Sequence, residues 1–187
     1  MTKELPYHPF YCEENIWRLA LGDWVRATCG ALFVTNEQRA VAMMAQRGAE
    51  QGARGLDSTG QLLVWDYHVV LLELGSQPAI WDPNSALGAP VLASAYLSMS
   101  FPQGVPAQYR PKFRWIPKAR LLRDFRSDRR HMRTIDGGWL KEPPPWEPPG
   151  PGHTLERILD LGDPFAGAVW STEQLMAAIA ARRLPLR

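Results

Sequence analysis

Three residues of this chain together have the side chains needed for nucleophilic catalysis by a thiol: Cys12, His68 and Asp82. Cys12 stands where a helix is predicted to begin, His68 lies within an apolar run, and Asp82 ends a shorter apolar run. A thiol attacks a carbonyl carbon when a histidine takes its proton, and a carboxylate can hold that histidine in its productive orientation. The three residues therefore predict a nucleophile, its base and the acid that orients the base.

The predicted surroundings of Cys12 have opposing effects on its pKa. Unpaired N–H groups at a helix N-terminus favour a thiolate, whereas the adjacent Glu13 and Glu14 disfavour it unless they are turned away or neutralised. We therefore expect His68 to supply much of the activation, with Cys12 and His68 as an ion pair at rest. A free cysteine can also be a small buried apolar side chain, and this is how we interpret Cys29.

His68 and the two nearby aspartates allow more than one interpretation. Strand alternation places Asp66 and His68 on one face, and an unpartnered polar group on a buried face costs about 1–3 kcal/mol. A polar site on that face, or a core histidine with a hydrogen-bonded neighbour, would explain the pair. Asp66 competes with Asp82 as the orienting acid, but residues i and i+2 of a strand lie roughly 6 to 7 Å apart. Asp82 is better placed, although it also suits a turn cap before Pro83.

Several short segments, in this order, carry a resemblance to a known family. They are Tyr11-Cys12-Glu13-Glu14-Asn15-Ile16-Trp17, Val64-Trp65-Asp66-Tyr67-His68-Val69-Val70, Ile80-Trp81-Asp82, Lys112-Phe113-Arg114, Ser127-Asp128-Arg129-Arg130-His131-Met132, Trp139 with Pro143-Pro144-Pro145, and Gly167-Ala168-Val169-Trp170. From about residue 11 to residue 175 the chain resembles the protein N-terminal glutamine amidohydrolases. The resemblance implies conversion of an N-terminal Gln to Glu, with Cys12, His68 and Asp82 as the catalytic residues.

The resemblance has further implications for fold, cofactors and biology. The chain order Cys, His, Asp is that of papain-like and transglutaminase-like enzymes, in which a cysteine on a helix faces a histidine on a sheet. The resemblance implies no organic or metal cofactor. The spacing of the two cysteines and four histidines agrees, because it shows none of the paired spacings typical of zinc sites. In eukaryotes the activity is understood to feed N-degron degradation.

Selectivity for a first residue requires a group that binds a free α-ammonium, and a desolvated carboxylate is the obvious partner. We favour Asp66 because it shares the predicted face of His68. Two tryptophans next to site residues can wall a pocket. The substrate-binding candidates are Asp66, Glu13, Glu14, Asp128, Trp65 and Trp81. For Asp128, bracing of the active-site loops is an equal alternative.

Composition excludes several classes of protein. With 187 residues, 45% of them hydrophobic and 21% charged, the chain suits one domain over residues 1–187. Its 21 Lys and Arg against 19 Asp and Glu are too balanced to indicate a nucleic-acid or membrane partner. The chain shows no apolar run of about 18 residues and no leader pattern. We expect a cytoplasmic monomer without a disulfide between its two cysteines.

The periodicity of apolar residues predicts an α+β domain whose mixed, largely antiparallel sheet is layered with helices. Residues 62–74 form the longest apolar run and are predicted as one central strand, paired as a hairpin with residues 79–82. Residues 48–60 are predicted as a glycine-rich loop. The other predicted strands cover 31–35, 112–116 and 166–170, and the predicted helices cover 13–24, 36–47, 117–125 and 172–182, the last with a capping box from Ser171 to Gln174.

Residues 141–152 contain six prolines among twelve residues, which favours an extended polyproline conformation. The segment suits either a ligand for an SH3-like partner or a strap on the surface of the protein itself. We favour the strap, because Trp139 and Trp146 flank the prolines and the family resemblance continues through them.

Two other functions remain open at the level of sequence. One is a related thiol enzyme that passes the acyl group to an amine or cuts a peptide bond. The other is a binding module that recognises N-terminal Gln or a protein partner without catalysis. A requirement for a free N-terminal Gln would distinguish the family activity from that of the related thiol enzyme. Dependence on Cys12 would distinguish it from a binding module.

Overall fold

The computed structural model describes residues 4–47, 54–55 and 62–185, and within these ranges it contains five α-helices and nine β-strands. The helices are α1 (Cys12–Leu21), α2 (Ala93–Ser100), α3 (Lys118–Asp124), α4 (Leu155–Leu159) and α5 (Thr172–Ala180). The strands are β1 (Cys29–Thr35), β2 (Val41–Met43), β3 (Arg54–Gly55), β4 (Leu63–Trp65), β5 (His68–Glu73), β6 (Ala79–Trp81), β7 (Val91–Leu92), β8 (Lys112–Pro117) and β9 (Val169–Trp170).

The strands form two sheets. The larger sheet has six strands in the order β7-β6-β5-β1-β8-β9, and its neighbouring strands pair antiparallel. The smaller sheet has the order β2-β4-β3. This arrangement confirms the predicted α+β fold with a largely antiparallel sheet. A core of the papain or transglutaminase kind stays a prediction.

The two central strands of the larger sheet, β1 and β5, are buried on both faces. Along β1, Ala31 and Phe33 pack into one apolar cluster, whereas Leu32 and Val34 pack into another on the opposite face. The first cluster joins the sheet to α1, α3 and α4, and the second joins it to α2 and α5. Helices therefore cover both faces of β5, the strand that begins with the histidine.

Several predicted elements are confirmed. The hairpin of β5 and β6 pairs Leu71 with Trp81 in antiparallel register. Strand β8 and helix α3 lie within one residue of their predicted bounds. Helix α5 begins with the predicted capping box, in which the Ser171 hydroxyl accepts from the backbone N–H of Gln174.

The prediction of a single strand over residues 62–74 is wrong. The chain bends at Asp66, whose Oδ1 accepts a hydrogen bond from the backbone N–H of Tyr67 at 2.9 Å. Such a side-chain bond to the backbone competes with the strand ladder. As a result β4 belongs to the smaller sheet and β5 to the larger one. The alternation argument that placed Asp66 and His68 on one face of a single strand therefore fails.

The predicted helix over residues 36–47 is also wrong, since residues 41–43 form strand β2, which pairs with β4. Asn36 was expected to cap that helix. Its Oδ1 instead accepts from the backbone N–H groups of Gln38 and Ala40, at 3.1 and 2.9 Å, and closes a turn. The same side-chain chemistry serves a helix cap and a turn.

Two other predictions are tested only in part. The predicted strand over 166–170 shortens to Val169–Trp170, because residues 164–166 form a 3₁₀ turn capped by Asp163. The predicted loop over residues 48–60 lies outside the described residues except for Arg54–Gly55, which form β3. Within the described ranges, every helix is too short or too polar to cross a membrane.

Candidate active site

Cys12 and His68 line one cavity of about 330 Å³. Its walls come from the start of α1, from the bend between β4 and β5, from the N-terminal segment before α1, and from residues 131, 132 and 140. The elements that carry the two side chains pack directly on one another. The cavity therefore joins two residues that are far apart in sequence.

Asp82 lies directly beside His68. Its carboxylate Oδ2 is 3.1 Å from His68 Nε2, and the two side chains are only 1% and 3% exposed. The register that pairs Trp81 with Leu71 carries Asp82 towards Val70, so Asp82 and His68 project from the same face of the sheet. The predicted neighbour on the hairpin strand thus lies within contact distance of the histidine.

Three further donors surround the Asp82 carboxylate. Oδ2 accepts from the Tyr96 hydroxyl at 2.7 Å and from Gln46 Nε2 at 3.2 Å, and Oδ1 accepts from the backbone N–H of Asn84 at 2.9 Å. Burial alone raises the pKa of Asp82, but attraction to His68 and these hydrogen bonds outweigh it and hold the pKa below its ordinary value. Asp82 is therefore an ionised, oriented carboxylate.

Cys12 is the first residue of α1 and is partly buried against the core. Burial raises the pKa of its thiol well above the ordinary value, Glu13 raises it further, and a hydrogen bond from the backbone of Val69 lowers it in part. These effects favour a neutral thiol over the resting ion pair expected from the sequence. The helix N-terminus does not by itself overcome desolvation here.

Glu13 is fully buried beside the thiol. Its Oε2 lies 3.7 Å from Cys12 Sγ and accepts a hydrogen bond from the Tyr67 hydroxyl at 3.0 Å. Its Oε1 lies 3.3 Å from Nε2 of His131. Glu13 therefore contacts groups of the protein itself, which does not favour the predicted role in binding a substrate ammonium.

Glu14 points into a different set of contacts. It forms a two-pronged ion pair with Arg129, at 2.7 and 2.8 Å, and accepts from the indole N–H of Trp146 at 2.9 Å. Arg129 also donates to the backbone carbonyls of Pro144 and Trp146. Glu14 is thus neutralised and joins α1 to the proline-rich segment, which does not favour its predicted role in substrate binding.

Asp66 and Trp65 both line the cavity. Asp66 is exposed on its wall, yet the surrounding protein raises the pKa of its carboxyl by desolvation. The Trp65 ring stacks on the His68 ring, with centroids 6.1 Å apart and planes 25° apart. These two predicted residues lie where a substrate in the cavity can contact them.

Two predicted residues lie elsewhere. The Trp81 ring packs against the core cluster that contains α1, and its indole N–H donates to Glu73 at 2.9 Å. Neighbouring strand residues project to opposite faces, so proximity in sequence to Asp82 does not bring Trp81 to the cavity. Asp128 forms a partly exposed ion pair with Arg130, with Nη2 and Oδ2 2.5 Å apart, which fits the bracing alternative.

Several residues of the site carried no signal in the sequence. The N-terminal segment contributes Tyr7, His8 and Phe10 to the cavity wall, and His131 and Met132 line its other side. The first three precede the recognisable segments. His131 lies within one of them, but its contact with a glutamate 118 residues earlier cannot be seen from spacing.

Other features of the described residues lie apart from this chemistry. A larger cavity of about 410 Å³ is formed by the β5–β6 hairpin, α2 and α5. The described residues that line it include none of the predicted site residues. No group of three or more His, Cys, Asp or Glu side chains in the described ranges is arranged to hold a metal ion.

One cavity of this α+β fold is lined by a cysteine and a histidine, and a buried aspartate lies behind the histidine, an arrangement that makes the chain a candidate hydrolase. The sequence profile of the N-terminal glutamine amidase family matches residues 7–178. The chain belongs to this family. The matched range includes the three residues and every residue that lines the cavity.

Relatives from a plant and from animals support the assignment. The chain is 31% identical to a protein N-terminal glutamine amidohydrolase of Arabidopsis thaliana, over 92% of this chain and 82% of the relative. It is 35% identical to the Homo sapiens protein of the same name, over 75% and 69% of the two chains. A protein of the same name from Drosophila grimshawi is 36% identical over 76% and 70%.

Proposed function

We propose that this chain hydrolyses the side-chain amide of an N-terminal glutamine in peptides or proteins, giving glutamate and ammonia. The observation that carries the proposal is the family match over residues 7–178. The cavity that brings Cys12 and His68 together, with Asp82 behind the histidine, supports it independently.

The proposed mechanism uses Cys12 as the nucleophile and passes through a γ-glutamyl thioester. Its sulfur bonds to the amide carbon of the substrate, His68 takes the thiol proton, and the imidazolium returns a proton to the departing nitrogen as the C–N bond breaks. Water then attacks the thioester with His68 as the base. The C–S bond breaks, glutamate is released and the thiol regains its proton.

Asp82 gives each ring nitrogen of His68 its own role. Nε2 lies against the carboxylate, at 3.1 Å from Oδ2, so Nδ1 is the nitrogen left to exchange protons with Cys12 and the leaving group. Because the thiol pKa is raised, the proton moves to His68 as the sulfur attacks. Asp82 stabilises the imidazolium that then forms.

The developing oxyanion needs hydrogen-bond donors. The first backbone N–H groups of a helix have no partner within that helix, and α1 begins at Cys12 itself. We assign the oxyanion to N–H groups at this end of α1, where they are fixed before the reaction.

Asp66 is proposed to bind the α-ammonium of the substrate. As a residue Asp66 is exposed on the cavity wall, whereas the protein around its carboxyl partly removes that group from water and raises its pKa. Partial removal from water strengthens an ion pair with a substrate. Glu156 also lines the cavity, but it pairs with Arg39 at 3.2 Å. Of the two carboxylates, Asp66 is therefore the better partner for a new cation.

The remaining expectations stay predictions. They are a cytoplasmic monomer without metal or organic cofactor, a single domain over residues 1–187, no nucleic-acid or membrane partner, and a role of residues 141–152 as the protein's own strap.

A direct test compares a peptide that begins with Gln and an isomer with Gln at its second position. Mass spectrometry and ammonia release are expected to show conversion of the first peptide alone. Adding methylamine tests the acyl-transfer alternative, because a transferase would form the γ-glutamyl methylamide. Conversion of the second peptide, or methylamide as the main product, would contradict the proposal.

A further inference from the structure

A buried pair of ionisable groups, Glu13 and His131, lies next to Cys12 at the start of α1. Glu13 is 0% exposed and His131 13% exposed in their side chains, and Oε1 lies 3.3 Å from Nε2. The second carboxylate oxygen, Oε2, is 3.7 Å from Cys12 Sγ. The mechanism proposed above assigns no role to either side chain.

A buried carboxylate next to a thiol opposes formation of a thiolate, because the two negative charges repel one another in a medium of low dielectric constant. The groups that contact Glu13 in the described part of the chain are Cys12, Tyr67 and His131. Of these three, His131 alone can carry a positive charge. Arg129, the cation that contacts the neighbouring Glu14, is held by that carboxylate.

We propose that His131 is a positioning residue that acts on Cys12 through Glu13. The imidazolium of His131 neutralises the Glu13 carboxylate, so that the Cys12 thiol can ionise during attack. This inference rests on the proposed function, in which Cys12 is the nucleophile. The Tyr67 hydroxyl completes the arrangement by fixing Glu13 Oε2 with a hydrogen bond of 3.0 Å.

The charges around His131 agree with this role. Burial lowers the pKa of His131, but the Glu13 carboxylate outweighs burial and raises the pKa above its ordinary value, with smaller contributions from Glu156 and Asp66. His153 packs against the His131 ring, with centroids 5.3 Å apart. The pKa of His153 is lowered, first by burial and then by the charge of His131, so the positive charge of the pair resides on His131.

The pH dependence follows from these groups. Below the raised pKa of His131, its charge balances Glu13. As the pH rises through that pKa, the Glu13 charge is left uncompensated and the thiol becomes harder to ionise. The groups that face the pair from other elements are Asp66 and Tyr67 at the bend before β5, and Glu156 on α4. His153 also faces the pair and is itself near Asp128 and Arg130.

The test measures the rate at which iodoacetamide alkylates Cys12, with the site of modification identified by peptide mass spectrometry, since Cys29 is buried. In His131→Gln, a hydrogen-bond donor remains but the charge is lost. We expect the rate at neutral pH to fall about tenfold, which corresponds to one pKa unit. Glu13→Gln is expected to match or exceed the wild-type rate.

The double variant Glu13→Gln/His131→Gln separates charge from packing. We expect it to recover to within about threefold of wild type, because both charges are gone. Arg130→Gln is the matched control: it removes a positive charge from the neighbouring residue, whose side chain is 66% exposed, and is expected to change the rate less than about twofold.

An unchanged rate in His131→Gln, or a double variant as slow as His131→Gln, would overturn the inference. Ammonia release from a Gln-initiated peptide is measured in parallel with each variant. If wild type releases none, the proposed function fails, and the alkylation rates still decide whether His131 and Glu13 set the reactivity of Cys12.

Discussion

Asp82 accepts more hydrogen bonds than an amide in its place can. Its Oδ2 accepts from Tyr96 and Gln46 and lies 3.1 Å from Nε2 of His68. Its Oδ1 accepts from the backbone N–H of Asn84. An asparagine presents one oxygen and one NH₂ group, so in either orientation its NH₂ faces a donor. The site is therefore built for an ionised aspartate.

The substitution Asp82→Asn is accordingly expected to lower both stability and activity. Unfolding by denaturant is expected to show a loss of about 1–3 kcal/mol, the cost of an unsatisfied buried group. Ammonia release is expected to show a fall in kcat of about 100-fold or more, because His68 loses its orienting charge. Tyr96→Phe is the matched control, with a loss of about 1 kcal/mol in stability and little change in kcat. A wild-type kcat in Asp82→Asn would contradict the role of Asp82.

The substitution Asp66→Asn tests recognition of the substrate ammonium. We expect KM for a Gln-initiated peptide to rise at least about tenfold with a smaller change in kcat, since a charged hydrogen bond contributes about 1.5–3 kcal/mol. Glu156→Gln is the control, because that carboxylate is already paired with Arg39. Equal effects of the two substitutions on KM would remove Asp66 from this role.

The pH profile provides a second test of Asp66. Its carboxyl binds an ammonium only when ionised, and desolvation raises its pKa. As the pH falls through that raised pKa, Asp66 takes up a proton and kcat/KM is expected to decline, at a higher pH than an ordinary aspartate would cause. In Asp66→Asn this decline is expected to disappear from the profile. A decline of the same shape in both proteins would assign it to another group.

Among the elements, α1 is joined to the proline-rich segment, residues 141–152, by the buried ion pair of Glu14 and Arg129. Arg129 joins Glu14 on α1 to the carbonyls of Pro144 and Trp146, and Arg129 itself has a left-handed backbone conformation with φ of 63°. Tyr11 and His8 add hydrogen bonds to the carbonyls of Lys141 and Glu142. These contacts fix the residues on either side of Cys12.

Replacing Arg129 with methionine leaves Glu14 buried without its cation. The free energy of unfolding is expected to fall by about 3–5 kcal/mol, the usual cost of breaking a buried pair from one side. Arg130→Met, which removes the partner of Asp128 at the surface, is expected to cost less than about 1 kcal/mol. Denaturant titration of both variants measures the difference. Similar losses would show that the Glu14 pair does not anchor the segment.

The elements that sequence patterns predicted well are those with local signals. The capping box of α5 and the hairpin of β5 and β6 are both encoded within a few residues. The pattern around β2 predicts a helix, because a short apolar run suits both a helix and a strand. The break between β4 and β5 falls at Asp66, whose side chain bonds to the backbone there, and the continuous apolar run around it gives no sign of two sheets.

The candidate site shows the same difference between local signals in the sequence and nonlocal contacts in the fold. Cys12, His68 and Asp82 stand out because their chemistry is distinctive and their segments resemble a family. The partners that tune them, such as Tyr96, Gln46 and His131, come from distant parts of the chain. Their roles depend on burial and on nonlocal packing, which residue spacing does not encode.

For the whole molecule, the family match and the cavity together point to hydrolysis of N-terminal Gln that depends on Cys12. The most direct measurement is ammonia release from a Gln-initiated peptide and from its N-acetylated twin, with wild type and Cys12→Ala. We expect release from the free peptide alone, and its loss in Cys12→Ala. Release from the acetylated peptide at a similar rate, or undiminished release by Cys12→Ala, would contradict it.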